Sequence, residues 1–202
     1  MAEINNNIFL QTGEGVYKEK SSTFSAYTFH VENLLDIKTY LAKFKEKFPD
    51  ANHICYAYRL LAGNTINEFA TDAGEPKGSS GIPILNQLKR KELINSAVFV
   101  VRYFGGTKLG IPGLIHAYGE ATLESLKASK IGPWIKKDSY NIKTNYETLG
   151  IVEKIIRDYF GENINKDFSD KIQISVDIIK ENSDSFLNCF TELKNVKIIK
   201  KI

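Results

Sequence analysis

Cysteine is scarce in this 202-residue chain: Cys55 and Cys189 stand far apart and no CxxC occurs. A disulfide framework and a cysteine-based zinc site are therefore not expected, and both residues read as reduced, buried thiols. The three histidines, His30, His53 and His116, form neither HxxxH nor HxH, so no metal centre and no cofactor are expected. No apolar run approaches the roughly 18 residues that a membrane helix needs. The start "MAEINNNIFLQ" lacks the basic region and the long apolar stretch of a signal peptide. A cytoplasmic protein with no membrane partner is the expectation. The formal net charge of +3 is too small to announce a nucleic-acid partner.

Nucleotide-hydrolysis and acyl-transfer signatures are missing as well. The run "RYFGGTKLGIPG" (102–113) has two glycines, Gly105 and Gly110, at P-loop spacing. Ile111 and Pro112, however, stand where that loop needs a lysine and a hydroxyl. Neither a GxGxxG fingerprint nor a GxSxG elbow occurs.

What the chain does have is a core: 43% hydrophobic residues, with 12 Phe and 10 Tyr, enough for one large or two small domains. Its charge is uneven. Residues 137–202 hold eleven basic and eleven acidic residues, so the excess lies before them. From Pro76 to Gly119 there are six basic residues and a single acid, Glu92. That local field suits an anionic partner, although Lys89, Arg90 and Lys91 end a short helix, where cations complement the dipole whatever the function.

The periodicity predicts strands at 15–20 and 23–31, a helix through Leu34, Ile37, Leu41, Phe44 and Phe48, a strand at 53–61 and another after the turn "AGNT". The stretch "TDAGEPKGSSG" (71–81) holds too many breakers for either element and reads as a shaped loop. A helix with Pro83 in its first turn, a buried strand at 94–104 and a helix over 114–129 follow. "SKIGPWIKKD" (129–138) reads as a linker. After it comes a βαββαβ order, with a turn at Ser169–Asp170 between its middle strands and a helix over "SDSFLNCFTELK". The expected fold class is α+β, as two two-layer α/β sandwiches, with domains at 1–133 and 138–202.

Two loops carry the candidate chemistry. At 102–113 a strand enters a glycine-rich turn and a helix leaves it, so backbone N–H groups and a helix N-terminus face an anion, with Arg102 and Lys108 adding charge. Glycine's tolerance of positive φ explains the same residues without a ligand. At 68–81, Glu68, Asp72 and Glu75, with His53, offer metal ligands or acid–base groups. Equally, Asp72 fits a turn-forming side chain and Glu75 a partner for a nearby cation. No base is identifiable for Ser79 or Ser80 as nucleophile. Tyr56 and Tyr58 fit cross-strand packing as well as base stacking.

"NHICYAYRL", "TDAGEPKGSSGIPIL" and "VVRYFGGTKLGIPGLIHAY", in that order and after "YKEKSSTF", make the chain resemble the YigZ/IMPACT family over essentially its whole length. The resemblance implies an N-terminal ribosomal-protein-like fold with a left-handed βαβ crossover and a ferredoxin-like C-terminal domain. It also implies a role in translation control, since eukaryotic relatives are translation regulators that act through protein partners. The family's polar signature falls on Lys20, Ser22, His53, Tyr56, Arg59, Asp72, Gly74, Glu75, Pro76, Gly78, Arg102, Tyr103, Gly105, Gly106, Lys108 and Gly110, and Lys77 and Ser79 beside them join the expected anion-binding residues. The chain departs from it with Thr23 in place of a basic residue, Ala73 in place of an aspartate, Ser79–Ser80 in place of a Thr-Ala pair, Pro112 in place of a glycine and His116 in place of an arginine. The expected function is a non-enzymatic translation regulator binding RNA or the ribosome through a basic, glycine-lined surface on these residues. The alternatives are a hydrolase-like enzyme on a small anionic substrate in the same cleft, or a regulator that binds protein partners.

Overall fold

The computed structural model describes residues 6–168 and 172–201, so the expected Ser169–Asp170 turn lies outside the described residues. The chain divides into two units, Met1–Trp134 and Ile135–Ile202.

The first unit is built on a five-stranded sheet that is antiparallel throughout. After β1 (Asn7–Gln11) come β2 (Glu14–Glu19), β3 (Ser22–His30), α1 (Leu34–Lys47), β4 (His53–Ala62), β5 (Thr65–Thr71), α2 (Gly81–Arg90), β6 (Ser96–Tyr103), α3 (Gly110–Ala128) and β7 (Lys130–Pro133). The sheet order is β2-β3-β6-β4-β5. The run "SAVFVVR" explains the central place of β6: every one of these residues is buried, as a strand covered on both faces requires. Val98 and Val100 pack with Phe24, Ala26, Cys55 and Ala57 under α2 and α3. Ala97, Phe99 and Val101 pack on the opposite face with Ile37 and Phe44 of α1. The α+β class holds, and α1 on the opposite face adds a third layer to the two-layer sandwich expected for this half.

Local signals set the helix ends. The Asn33 side chain accepts from the N–H groups of Leu35 and Asp36, and Asp36 returns the bond to the Asn33 N–H, a reciprocal cap that starts α1. The supposed linker at 129–138 contains a strand: Lys130–Pro133 pairs antiparallel with Asn7–Gln11. Four residues, the last two a Gly-Pro pair, give too short an alternation to read.

The second unit runs β8 (Lys137–Thr144), α4 (Tyr146–Asp158), β9 (Glu162–Phe168), β10 (Ile172–Ile179), a 3-10 turn at Lys180–Asn182, α5 (Ser183–Asn188) and β11 (Lys197–Lys200). Its antiparallel sheet, β11-β8-β10-β9, with both helices in one core, is the ferredoxin-like arrangement. The last helix is shorter than expected because its hydrogen bonds tighten to the three-residue pattern at Cys189, Phe190 and Thr191.

Candidate anion-binding site

The α2/α3 face of the sheet ends in a cluster of polar residues that the strand register assembles. Arg102 pairs with His53 of β4 on one side and Phe24 of β3 on the other, and two residues along from His53 stands Cys55. These positions share the face of Val98 and Val100, so Arg102 continues the inward row as a cation. Glu75 reaches it from the 72–81 loop and Tyr118 from α3. Glu75 Oε1 accepts from Arg102 Nη1 at 2.6 Å and from the Tyr118 hydroxyl at 2.7 Å. Both charged side chains are deeply buried, 3% and 7% exposed. The Arg102 guanidinium also lies 5.3 Å from the Phe24 ring centre and 5.6 Å from that of Phe104. The Cys55 thiol donates to the Tyr118 hydroxyl at 3.3 Å, and burial pushes its pKa up to about 11, so it is no thiolate nucleophile. Burial, with Cys55 and Glu75 close by, likewise holds the Tyr118 phenol far above its ordinary range.

His53 is oriented by backbone. Its Nδ1 lies 2.9 Å from the carbonyl of Ala73, and only a donated N–H satisfies that contact, which leaves Nε2 as the acceptor in the neutral ring. Ala73 sits at φ 45°, an uncommon conformation for a residue with a Cβ. Nε2 then lies 3.9 Å from Glu75 Oε2.

The 71–81 loop is itself an anion cradle, and its anion is internal. Asp72 Oδ1 accepts from the N–H groups of Ser80 and Gly81 and from the Ser80 hydroxyl; Oδ2 accepts from Gly78 N–H at 2.7 Å. The first turn of α2 is thereby occupied. Burial raises the Asp72 pKa, but these donors outweigh it and hold the carboxyl below the ordinary aspartate value. Ser79 donates to the Pro76 carbonyl at 2.7 Å.

The second loop differs. Gly106 and Gly110 take left-handed φ values of 88° and 72°. Gly105 meets the β2–β3 turn so closely that a Cβ there would lie 2.0 Å from the carbonyl carbon of Ser21, and its N–H donates to Ser22 Oγ. Gly105→Ala is therefore expected to destabilise the first unit by about 1–3 kcal/mol, measured by urea denaturation, because backbone must move. Beyond the loop, α3 follows Leu109, with no side-chain cap among the described residues. Leu109 and the first residues of α3, Gly110 and Ile111, wall a pocket of about 470 Å³, together with His53, Glu75, Arg102, Phe104 and Lys108 among others.

The structure thus brings His53, Glu75, Arg102 and Lys108 to one pocket. Asp72, Ser79, Ser22, Gly105 and Gly106 shape the loops around it. Arg59 is engaged elsewhere, with Glu68 at 3.0 Å and the Leu93 carbonyl at 2.7 Å. Lys20, Lys77 and His116 are exposed and do not line the pocket, and His116 packs edge-on against Tyr17. Sequence reasoning missed Tyr118, which lies within the helix expected over 114–129, and Phe104, whose signal is an aromatic two residues after an inward Arg. Among the described residues no cluster of His, Cys, Asp and Glu fit for a metal occurs, and no helix is long and apolar enough to cross a membrane.

Comparison with known proteins follows the same residues. The Impact N-terminal domain matches residues 20–126, which takes in both loops and α3 up to Leu126. A Haemophilus influenzae protein described as an IMPACT family member is 30% identical over 183 residues, 89% of this chain and 88% of that one. The Bacillus subtilis family member YvyE is 29% identical, over 93% of this chain and 86% of its own. A crystal structure of a hypothetical protein superposes with a TM-score of 0.70 at 25% identity, covering 96% of each chain. With the Impact domain spanning more than half of its length, the chain belongs to the IMPACT family.

Proposed function

We propose that this protein is a translation-associated regulator whose first unit binds RNA, free or in the ribosome, through the pocket between the Glu75 and Lys108 loops. One observation carries the reading. The uncapped N-terminus of α3 opens on the pocket beside Lys108, while the only carboxylate lining it among the described residues, Glu75, already accepts from Arg102 and Tyr118. Helix N–H groups and an ammonium with no ion pair among the described residues are the donors that phosphate oxygens require. Lys108→Ala is expected to weaken RNA or ribosome binding and to make the plot of log affinity against log salt shallower by about one unit. Co-sedimentation at two salt concentrations measures both, and an unchanged slope would overturn the reading.

The enzyme reading has one observation in its favour, the convergence of His53 Nε2 on Glu75 Oε2 at the pocket wall. Turnover of a bound phosphoester that disappears in His53→Ala, with binding retained, would establish it.

A further inference from the structure

The pocket's walls differ in chemistry, and together they match one class of molecule. Its lining includes Glu75, Arg102 and Leu114, all buried, and Phe104 and Ile111, both about half exposed. A depression with a buried side of this kind accepts the end of a chain or a small molecule more readily than the middle of a strand, which needs an open groove. Arg102 and Glu75 offset each other. What remains is Lys108 and the positive end of a nineteen-residue helix, together suited to a doubly charged terminal phosphate. A second observation, independent of the helix, marks the site as incomplete. Arg102 is 6% exposed, yet among the described residues its Nε has no hydrogen-bond partner.

The acceptors lie close by. Among the described residues both hydrogen bonds to the Glu75 carboxylate go to Oε1, leaving Oε2 to share the wall with His53 Nε2, an acceptor in the neutral ring, 3.9 Å away. Two adjacent acceptors repel phosphate oxygens and suit hydroxyl donors, as a ribose supplies. At the mouth, Phe104 has one ring face toward the Arg102 guanidinium and is 45% exposed, which leaves aromatic surface for a base.

We propose that the pocket takes a ribonucleotide bearing a free 5′-phosphate: phosphate on Lys108 and the α3 N-terminus, ribose hydroxyl on Glu75 and His53, base on Phe104. The proposal rests on the phosphate-binding reading above and narrows it to an end group. A free nucleotide and the 5′ end of an RNA share this chemistry, and the experiment separates them.

The full chain is titrated with a 3′-labelled RNA octamer carrying either a 5′-phosphate or a 5′-hydroxyl, with the matching DNA octamer, and with adenosine 5′-monophosphate as competitor. The 5′-phosphate RNA is expected to bind at least about tenfold more tightly than the 5′-hydroxyl form. Lys108→Ala removes that difference. His53→Ala narrows the preference for RNA over DNA. Phe104→Ala weakens both RNAs alike. Competition by the mononucleotide at concentrations comparable to the octamer assigns the site to free nucleotides; competition only at about tenfold higher concentration or more assigns it to RNA ends. Equal binding of the two RNA octamers, still dependent on Lys108, overturns the end-group proposal and leaves the RNA reading standing. If neither octamer binds, the RNA reading falls, and a nucleotide that binds directly in a Lys108-dependent way preserves the pocket assignment.

Discussion

Arg102→Ala is expected to destabilise the first unit by about 3–5 kcal/mol, the usual cost of removing one partner from a buried ion pair. Glu75 would keep the Tyr118 hydroxyl at 2.7 Å but lose the guanidinium at 2.6 Å, leaving a carboxylate that is 3% exposed without a counter-charge. The Phe24 and Phe104 rings would lose the cation near their faces. Hydrogen exchange of the β6 amides in the full chain reads the effect where it arises, without assuming that the two units unfold together. A double variant, Arg102→Met with Glu75→Gln, recovers most of the loss if the cost lies in the orphaned charge. A change under about 1 kcal/mol in the single variant would mean that Glu75 finds another partner. Because this residue carries stability, Lys108 and not Arg102 is the position at which to test binding.

The second large effect is at Asp72. Asp72→Ala is expected to cost about 3 kcal/mol, since hydrogen bonds to a charged acceptor are worth about 1.5–3 kcal/mol each and the freed N–H groups recover part of this from water. Asp72→Asn, which keeps one carbonyl acceptor, is expected to cost about half as much. The pH dependence has a definite sign. Asp72 has a folded pKa below its unfolded one, so its contribution is full above the ordinary aspartate range. It is lost as pH falls below about 4, through the depressed folded value. Asp138 in the second unit behaves alike: burial opposes, but Lys200 and Ser183 hold its carboxyl low. Acid titration of β6 exchange should show a limb that Asp72→Asn flattens, and an unflattened limb would remove Asp72 as its source.

Much of the fold was legible because its signals are local. The apolar run of β6, the four-residue steps of α1 and the breakers at 71–81 each report on neighbours in sequence. What the sequence hid depends on distant partners. Asp72 and Glu75 carry the same charge three residues apart, yet one folds back on its own loop and the other crosses to β6. Only the register that sets His53 opposite Arg102 decides which becomes part of the pocket. Tyr118 reads as a helix-face aromatic because its hydroxyl partner lies 43 residues away. Strand β7 escaped for the same reason: its partner is at the other end of the unit.

That pairing has a consequence for how the protein is made. Phe9 belongs to the core of the first unit and Asn7 is matched with Pro133, so the earliest described strand cannot complete its ladder until almost the last residue of that unit has been synthesised. Contacts of such long sequence separation are closed late and slowly, because the chain entropy of the intervening segment must be overcome first. The first unit thus cannot finish folding before its last strand is synthesised, and a fragment ending at Leu126, where the Impact domain match stops, would leave its opening strand without its antiparallel partner, held only by the bridge from Asn7 to Leu93 and by packing.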